Sequence, residues 1–179
     1  MIGYTVPTWF GYGGWGCLDY FVEQPGRYTF TEAFFANHHA LIYCIENKLG
    51  NKRGMSFDRD VVAFYGDPAW VARMADRTKA YEQTLTEKQG IFTLTIKGNR
   101  GEKSFTPVNT NGAQRGWRPI VAFLPYRVGE IELIEDSGLK PVITDDFILI
   151  PNPRQYDPAK SYIVKFKAEP AKPPEPVAR

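Results

Sequence analysis

The side chains best suited to nucleophilic attack or proton transfer near neutral pH are Cys17, Cys44, His38 and His39. A catalytic thiol needs a base within hydrogen-bonding reach. His38 and His39 are adjacent, so on a helix they point about 100° apart and cannot chelate one metal together. His38 falls on an apolar stripe and reads as a packed core histidine. Cys44 shares that helix but lies too far around and along it to meet His38. Cys17 with His39 remains open on spacing, while both thiols are expected to pack as small hydrophobes. No cluster of His, Cys, Asp or Glu has ligand spacing, so no metal is expected.

The second feature is the loop Gly11-Tyr12-Gly13-Gly14-Trp15-Gly16. It matches G-x-G-x-x-G at Gly11, Gly13 and Gly16, but Pro7 breaks the preceding strand and Trp15 would crowd a pyrophosphate. No Gly-Lys-Ser/Thr follows, and no helix is expected to open cleanly at Gly16. No nucleotide, flavin or other cofactor is expected. The loop reads as an aromatic-rich segment carrying Trp9, Phe10, Tyr12 and Trp15. It stands where a strand ends, a place where open sheets bind ligands.

Two grammars position these residues. Up to about Ala75 the chain reads as strand, loop, helix, strand, helix. Ile2–Val6 is a short strand, and Thr29-Phe30-Thr31-Glu32 is a capping box opening a helix to about Leu49. That helix is expected to stop at Gly50-Asn51 and to bury Phe34, His38, Leu41, Ile42, Ile45 and Leu49. Val61-Val62-Ala63-Phe64-Tyr65 is a continuous apolar run, read as a strand covered on both faces in a parallel sheet. Asp58, Arg59 and Asp60 read as its solvated entry, and Asp67 with Pro68 as the start of a further helix.

Beyond about Arg77 the period changes to two. Tyr81–Glu87 and Ile91–Lys97 form a hairpin across Lys88-Gln89-Gly90. Strands are expected at Arg118–Leu124, Glu130–Glu135, Phe147–Ile150 and Tyr162–Lys167, broken at Asn109–Gly112, Pro125, Asp136-Ser137-Gly138 and Pro151-Asn152-Pro153. Such spacing fits a two-sheet sandwich of immunoglobulin type, although no Cys…Trp…Cys pattern is present. The expected organisation is an α/β segment over 1–76, a β-sandwich over 77–168 and a Pro-rich tail over 169–179.

Composition narrows the classes. The chain has 179 residues, 43% hydrophobic and 15% aromatic, with a formal net charge of +2. That aromatic content excludes bulk disorder, and so small a charge gives no footprint for nucleic acid. Apolar runs reach no more than six residues, against the roughly 20 of a spanning helix, so no membrane span is expected. Two cysteines cannot staple a chain of this size.

Val61-Val62-Ala63-Phe64-Tyr65-Gly66-Asp67-Pro68-Ala69 resembles the last strand of the catalytic domain in gingipain-type cysteine peptidases, which have a caspase-like fold. Ile2-Gly3-Tyr4-Thr5-Val6 is similar to the strand after their catalytic cysteine, and Thr31-Glu32-Ala33-Phe34-Phe35 to the helix after their pocket loop. The resemblance implies a partial caspase-like layer of parallel strands with helices, followed by an immunoglobulin-like domain. It implies the C-terminal portion of such a peptidase or an inactive relative, with the His–Cys dyad upstream and outside this chain. Trp9 and Trp15 would then form the wall of a substrate pocket. The implied partners are the upstream portion of the same protein or a second chain, and a peptide or protein substrate, in a secreted or cell-surface setting. The alternative is a non-enzymatic interaction module working through the aromatic loop or the sandwich.

Overall fold

The computed structural model describes residues 2–106, 108–110, 113–115, 118–153, 157 and 159–172. The chain opens on β1 (Ile2–Tyr4), passes through α1 (Gly14–Phe21), α2 (Phe30–Glu46) and α3 (Lys52–Val61), and returns on β2 (Val62–Phe64). The capping box of α2 is formed in both directions: Glu32 N–H donates to Thr29 Oγ1, and Thr29 N–H donates to the Glu32 carboxylate at 2.7 Å. Asn51 accepts from Gly54 N–H at 3.1 Å and caps α3. α2 stops earlier than expected, capped at Asn47 with Lys48 at φ 57° and Leu49 N–H donating to Cys44 O at 2.8 Å, and Asn51 starts the next helix.

The second half holds β3 (Tyr81–Lys88), β4 (Ile91–Gly98), a 3-10 turn (Gly101–Phe105), β5 (Val108–Thr110) and β6 (Ala113–Arg115). It continues with β7 (Ile120–Phe123), β8 (Val128–Glu135), β9 (Val142–Ile143), β10 (Phe147–Ile150) and β11 (Tyr162–Pro170). A two-residue turn joins β3 to β4, with Gln89 and Gly90 both at positive φ (54° and 75°), the handedness that matches the strand twist. The larger sheets run β3-β4-β11-β8 and β7-β10-β9, and the short pairs are β1-β2 and β5-β6. Between the two larger sheets lie Phe92, Leu94, Ile96, Ile120, Ile148 and Phe166. The opposite face of the three-stranded sheet presents Val121 and Leu149 to Tyr20, Phe30, Ala33 and Ala36 of the helical segment. The result is three layers: helices, a three-stranded sheet, and a four-stranded sheet.

This architecture corrects the expected fold class. Every registered strand pair among the described residues is antiparallel, including β1 with β2, where Ile2 faces Phe64 and Tyr4 faces Val62. A caspase-like layer of parallel strands is therefore not present among the described residues. The reason is local: α3 feeds directly into β2, which returns alongside β1 in the opposite sense, whereas a parallel pair needs a crossover that restores direction. The run Val61–Tyr65 is divided, with Val61 ending α3 and Tyr65 more than half exposed. Gly66–Trp70 is a turn in which Ala69 N–H donates to Asp67 Oδ1 (2.9 Å), and no helix follows. The immunoglobulin strand order fails as well. That arrangement puts the last strand opposite the first two, whereas β11 lies beside β4 in their own sheet.

Two smaller expectations also change. The buried face of α2 is Ala33, Ala36, Asn37, Ala40, Leu41, Cys44 and Ile45, while Ile42 and Leu49 are exposed and Phe34 and His38 half-buried. Small residues face the sheet because the helix packs closely on it. At the other end, β11 carries Glu169 and Pro170 in register with Gly129 and Val128. Of the expected tail, 173–179 lies outside the described residues, as do 111–112 of the expected break at Asn109–Gly112.

Candidate functional site: an aromatic cleft on a pinned loop

One carboxylate organises the loop between β1 and α1. Asp58 is fully buried on α3. It accepts from Thr8 Oγ1 at 2.6 Å, from the Tyr4 hydroxyl at 3.0 Å, and from Gly13 N–H. The Tyr4 hydroxyl in turn accepts from Gly14 N–H at 2.7 Å. Burial, with Asp58 adding to it, pushes the Tyr4 phenol well above its usual range, so it stays a protonated donor. Three points along the loop are thus tied to one helix.

The far side of the loop is tied to α2 and to the start of the sandwich. Asn37 Nδ2 donates to Tyr12 O (3.1 Å) and Gly13 O (2.7 Å). Arg118, almost wholly buried just before β7, donates to Tyr12 O at 3.0 Å and pairs with Asp19 at 3.3 Å. A Cβ at Gly16 would collide with Arg118 and Asn37, and one at Gly11, which sits at φ 69°, would meet the Trp15 ring at 2.6 Å. These glycines serve close packing.

The same geometry disposes of the dinucleotide match. A helix does open at Gly14, unlike the sequence expectation, and a phosphate would need the amides at its start. Those of Gly13 and Gly14 already bind Asp58 and Tyr4.

What the anchors hold up is aromatic surface. Phe10 stacks on Tyr12 (6.1 Å) and meets Phe57 of α3 edge-on (6.3 Å). Between the anchored Thr8 and Phe10, Trp9 is 96% exposed, and Trp15 is 57% exposed. Trp9, Trp15, Tyr4, Val6, Pro7 and Phe10 line an uncharged cleft of about 290 Å³. Both tryptophans singled out from the sequence therefore meet in one cleft. Tyr4, Asn37 and Arg118, which help hold it, were not singled out, and Asp58, expected at the solvated entry of a strand, is instead buried inside α3, where it takes its three donors. Asn51 as a cap, with Met55, Asp58 and Val62 recurring at helical spacing, was the signal that would have placed Asp58 inside α3.

The thiols and imidazoles do not converge. Cys17 is fully buried beside Tyr20 and Ala33, and burial pushes its pKa up to about 12. Cys44 lies in a separate cluster with Leu41 and Met55. His38 donates from Nδ1 to Phe34 O at 2.9 Å. His39 stacks on Phe147 at 4.1 Å, and burial lowers its pKa against the pull of Asp146. Neither cysteine is in a disulfide. Among the described residues no group of three metal-ligating side chains occurs, and no helix is long and apolar enough to cross a membrane. Comparison with protein-family models, curated proteins and solved structures found no match.

Proposed function

We propose that this chain is a recognition unit whose cleft between Trp9 and Trp15 takes one apolar or aromatic side chain of an extended peptide. The observation that carries this reading is Trp9: a side chain 96% exposed, held between two anchored neighbours. A large ring kept in water on an anchored backbone has only its own side-chain torsions left to order on binding, and aromatic rings of this kind make strong contacts once buried. The cleft has room for a single side chain and offers no charge to a charged one.

The resemblance to gingipain-type peptidases gives the cleft a setting. In that setting the chain is the pocket and scaffold portion of a cysteine peptidase or an inactive relative, exported to the cell surface or beyond. The reacting thiol and imidazole come from outside these 179 residues. The burial of Cys17 supports placing the nucleophile elsewhere.

The test is a fluorescence titration with blocked peptides carrying Phe, Leu, Arg or Asp at one position. Phe and Leu peptides should bind, and Trp9→Ala and Trp15→Ala should each weaken them about tenfold with an unchanged melting temperature. Equal binding by the double variant would remove the cleft from the account. An electrophilic peptide probe should leave Cys17 and Cys44 unlabelled; labelling of either would overturn the placement of the nucleophile.

A further inference from the structure

A second cleft, of about 360 Å³, lies where the C-terminal end of α1 meets the Gly101–Phe105 turn. We propose that it binds a small organic anion, a carboxylate with an aromatic or aliphatic body. Its volume is within the range of small-ligand sites, and it combines apolar rings with a few charges: the Arg118–Asp19 pair is buried, while Arg100 and Lys103 are exposed at the rim. Tyr20, Tyr81, Phe105 and Pro119 supply the floor. The Tyr81 ring stacks on Phe105 at 5.2 Å, and the Tyr20 hydroxyl is already engaged with Pro119 O at 2.7 Å.

The charges decide the sign of the ligand. Four cations line the cleft, Arg77, Arg100, Lys103 and Arg118, against two carboxylates, Asp19 and Glu23. Both carboxylates are engaged: Arg118 pairs with Asp19 at 3.3 Å, and Arg77 lies 3.6 Å from Glu23. Among the described residues no carboxylate pairs with Arg100 or Lys103. Arg100 is nonetheless positioned. Its Nη2 donates to Thr78 O at 2.6 Å, and its backbone N–H donates to Ser104 Oγ, which itself donates to Gly101 O. A planar guanidinium held by one nitrogen keeps further donors for a carboxylate, and Lys103 stands three residues on in the same turn. An apolar body would lie on the rings with its anionic end at the rim.

The experiment is a titration of the full chain with phenylacetate and hexanoate, read by amide resonances of Ser104 and Phe105 and by melting temperature. Acetate, phenethylamine and inorganic phosphate are the comparison probes. Phenylacetate and hexanoate should saturate, move those resonances and raise the melting temperature. Acetate, phosphate and the amine should do so at least about tenfold more weakly. Arg100→Gln with Lys103→Gln should cost phenylacetate about tenfold or more in affinity, because charge-assisted hydrogen bonds are lost. Trp9→Ala should leave this binding unchanged, which separates it from the peptide cleft. Absence of saturable binding, equal binding of phenethylamine or phosphate, or indifference to the double substitution would each overturn the proposal.

Discussion

The loop carrying Trp9 and the core of the sandwich are held by opposite means. The loop depends on polar atoms: one buried carboxylate takes three donors, and Asn37 and Arg118 take the carbonyls behind it. The sandwich depends on apolar contact, centred on the Phe92 and Phe166 rings stacked at 5.0 Å and 7°. The first arrangement fixes a particular shape, because each hydrogen bond has a direction and an unpaired donor inside is costly. The second supplies most of the free energy with little directional demand. A chain that must hold exposed aromatic rings in place therefore needs both.

The three-stranded sheet joins the two regions. Along β7, Ile120 and Ala122 enter the sandwich while Val121 faces the helices, and β10 repeats the pattern with Ile148 and Ile150 against Leu149. The outer edge of β7 would leave carbonyls bare. Tyr20 donates to Pro119 O at 2.7 Å, and Tyr28 donates to Val121 O at 2.5 Å with Gln83 assisting at 2.9 Å. The helical segment thus closes a sheet edge that would otherwise invite another strand.

The largest effect expected from breaking this comparison comes from the apolar side. Phe166→Ala should lower stability by about 3–5 kcal/mol, the cost of an unfilled core cavity. Helices and sandwich should unfold together in denaturant, monitored by circular dichroism and tryptophan emission. Asp58→Ala comes next, at about 2–4 kcal/mol, since it leaves buried donors without an acceptor. It should also loosen the loop, seen as faster hydrogen exchange of the Gly13 amide, which loses its acceptor. Tyr28→Phe should cost about 1–2 kcal/mol by leaving Val121 O to Gln83 alone and Gln83 one partner fewer. Burial pushes the Tyr28 phenol up to about 12. A group raised on folding stabilises fully below its unfolded pKa of about 10 and loses that contribution as pH rises through the folded value. The alkaline limb of a stability profile should therefore flatten in the Phe variant. The smallest effect is at His39, whose pKa is lowered by burial. Its contribution is complete above about pH 6.5 and is lost as pH falls through the lower folded value, so His39→Gln should soften the acid limb alone.

The rule that a continuous apolar run marks a strand covered on both faces was sound, but the run that obeys it is not Val61–Tyr65. Ile120–Leu124 and Phe147–Ile150 obey it, between helices and sheet. Such a run reports double burial and says nothing of strand direction, so the parallel layer read from it had no independent support. The capping box at Thr29 and the turn at Gln89-Gly90 were legible because each is a local backbone need met by local residues. Trp9 and Trp15 were legible as loop aromatics. Asp58 and Arg118 were not, because their partners lie 45 to 54 residues and 106 residues away in the chain.

Hydrogen exchange on the full chain tests the central claim, that helices and sandwich are one cooperative body joined at β7 and β10. Amides of Ala36–Leu41 in α2 and of Val121 and Leu149 should open with one common free energy, and Phe166→Ala should lower all of them equally. If the α2 amides open at a lower free energy, and keep it when Phe166 is replaced, the two regions are independent and the account is wrong.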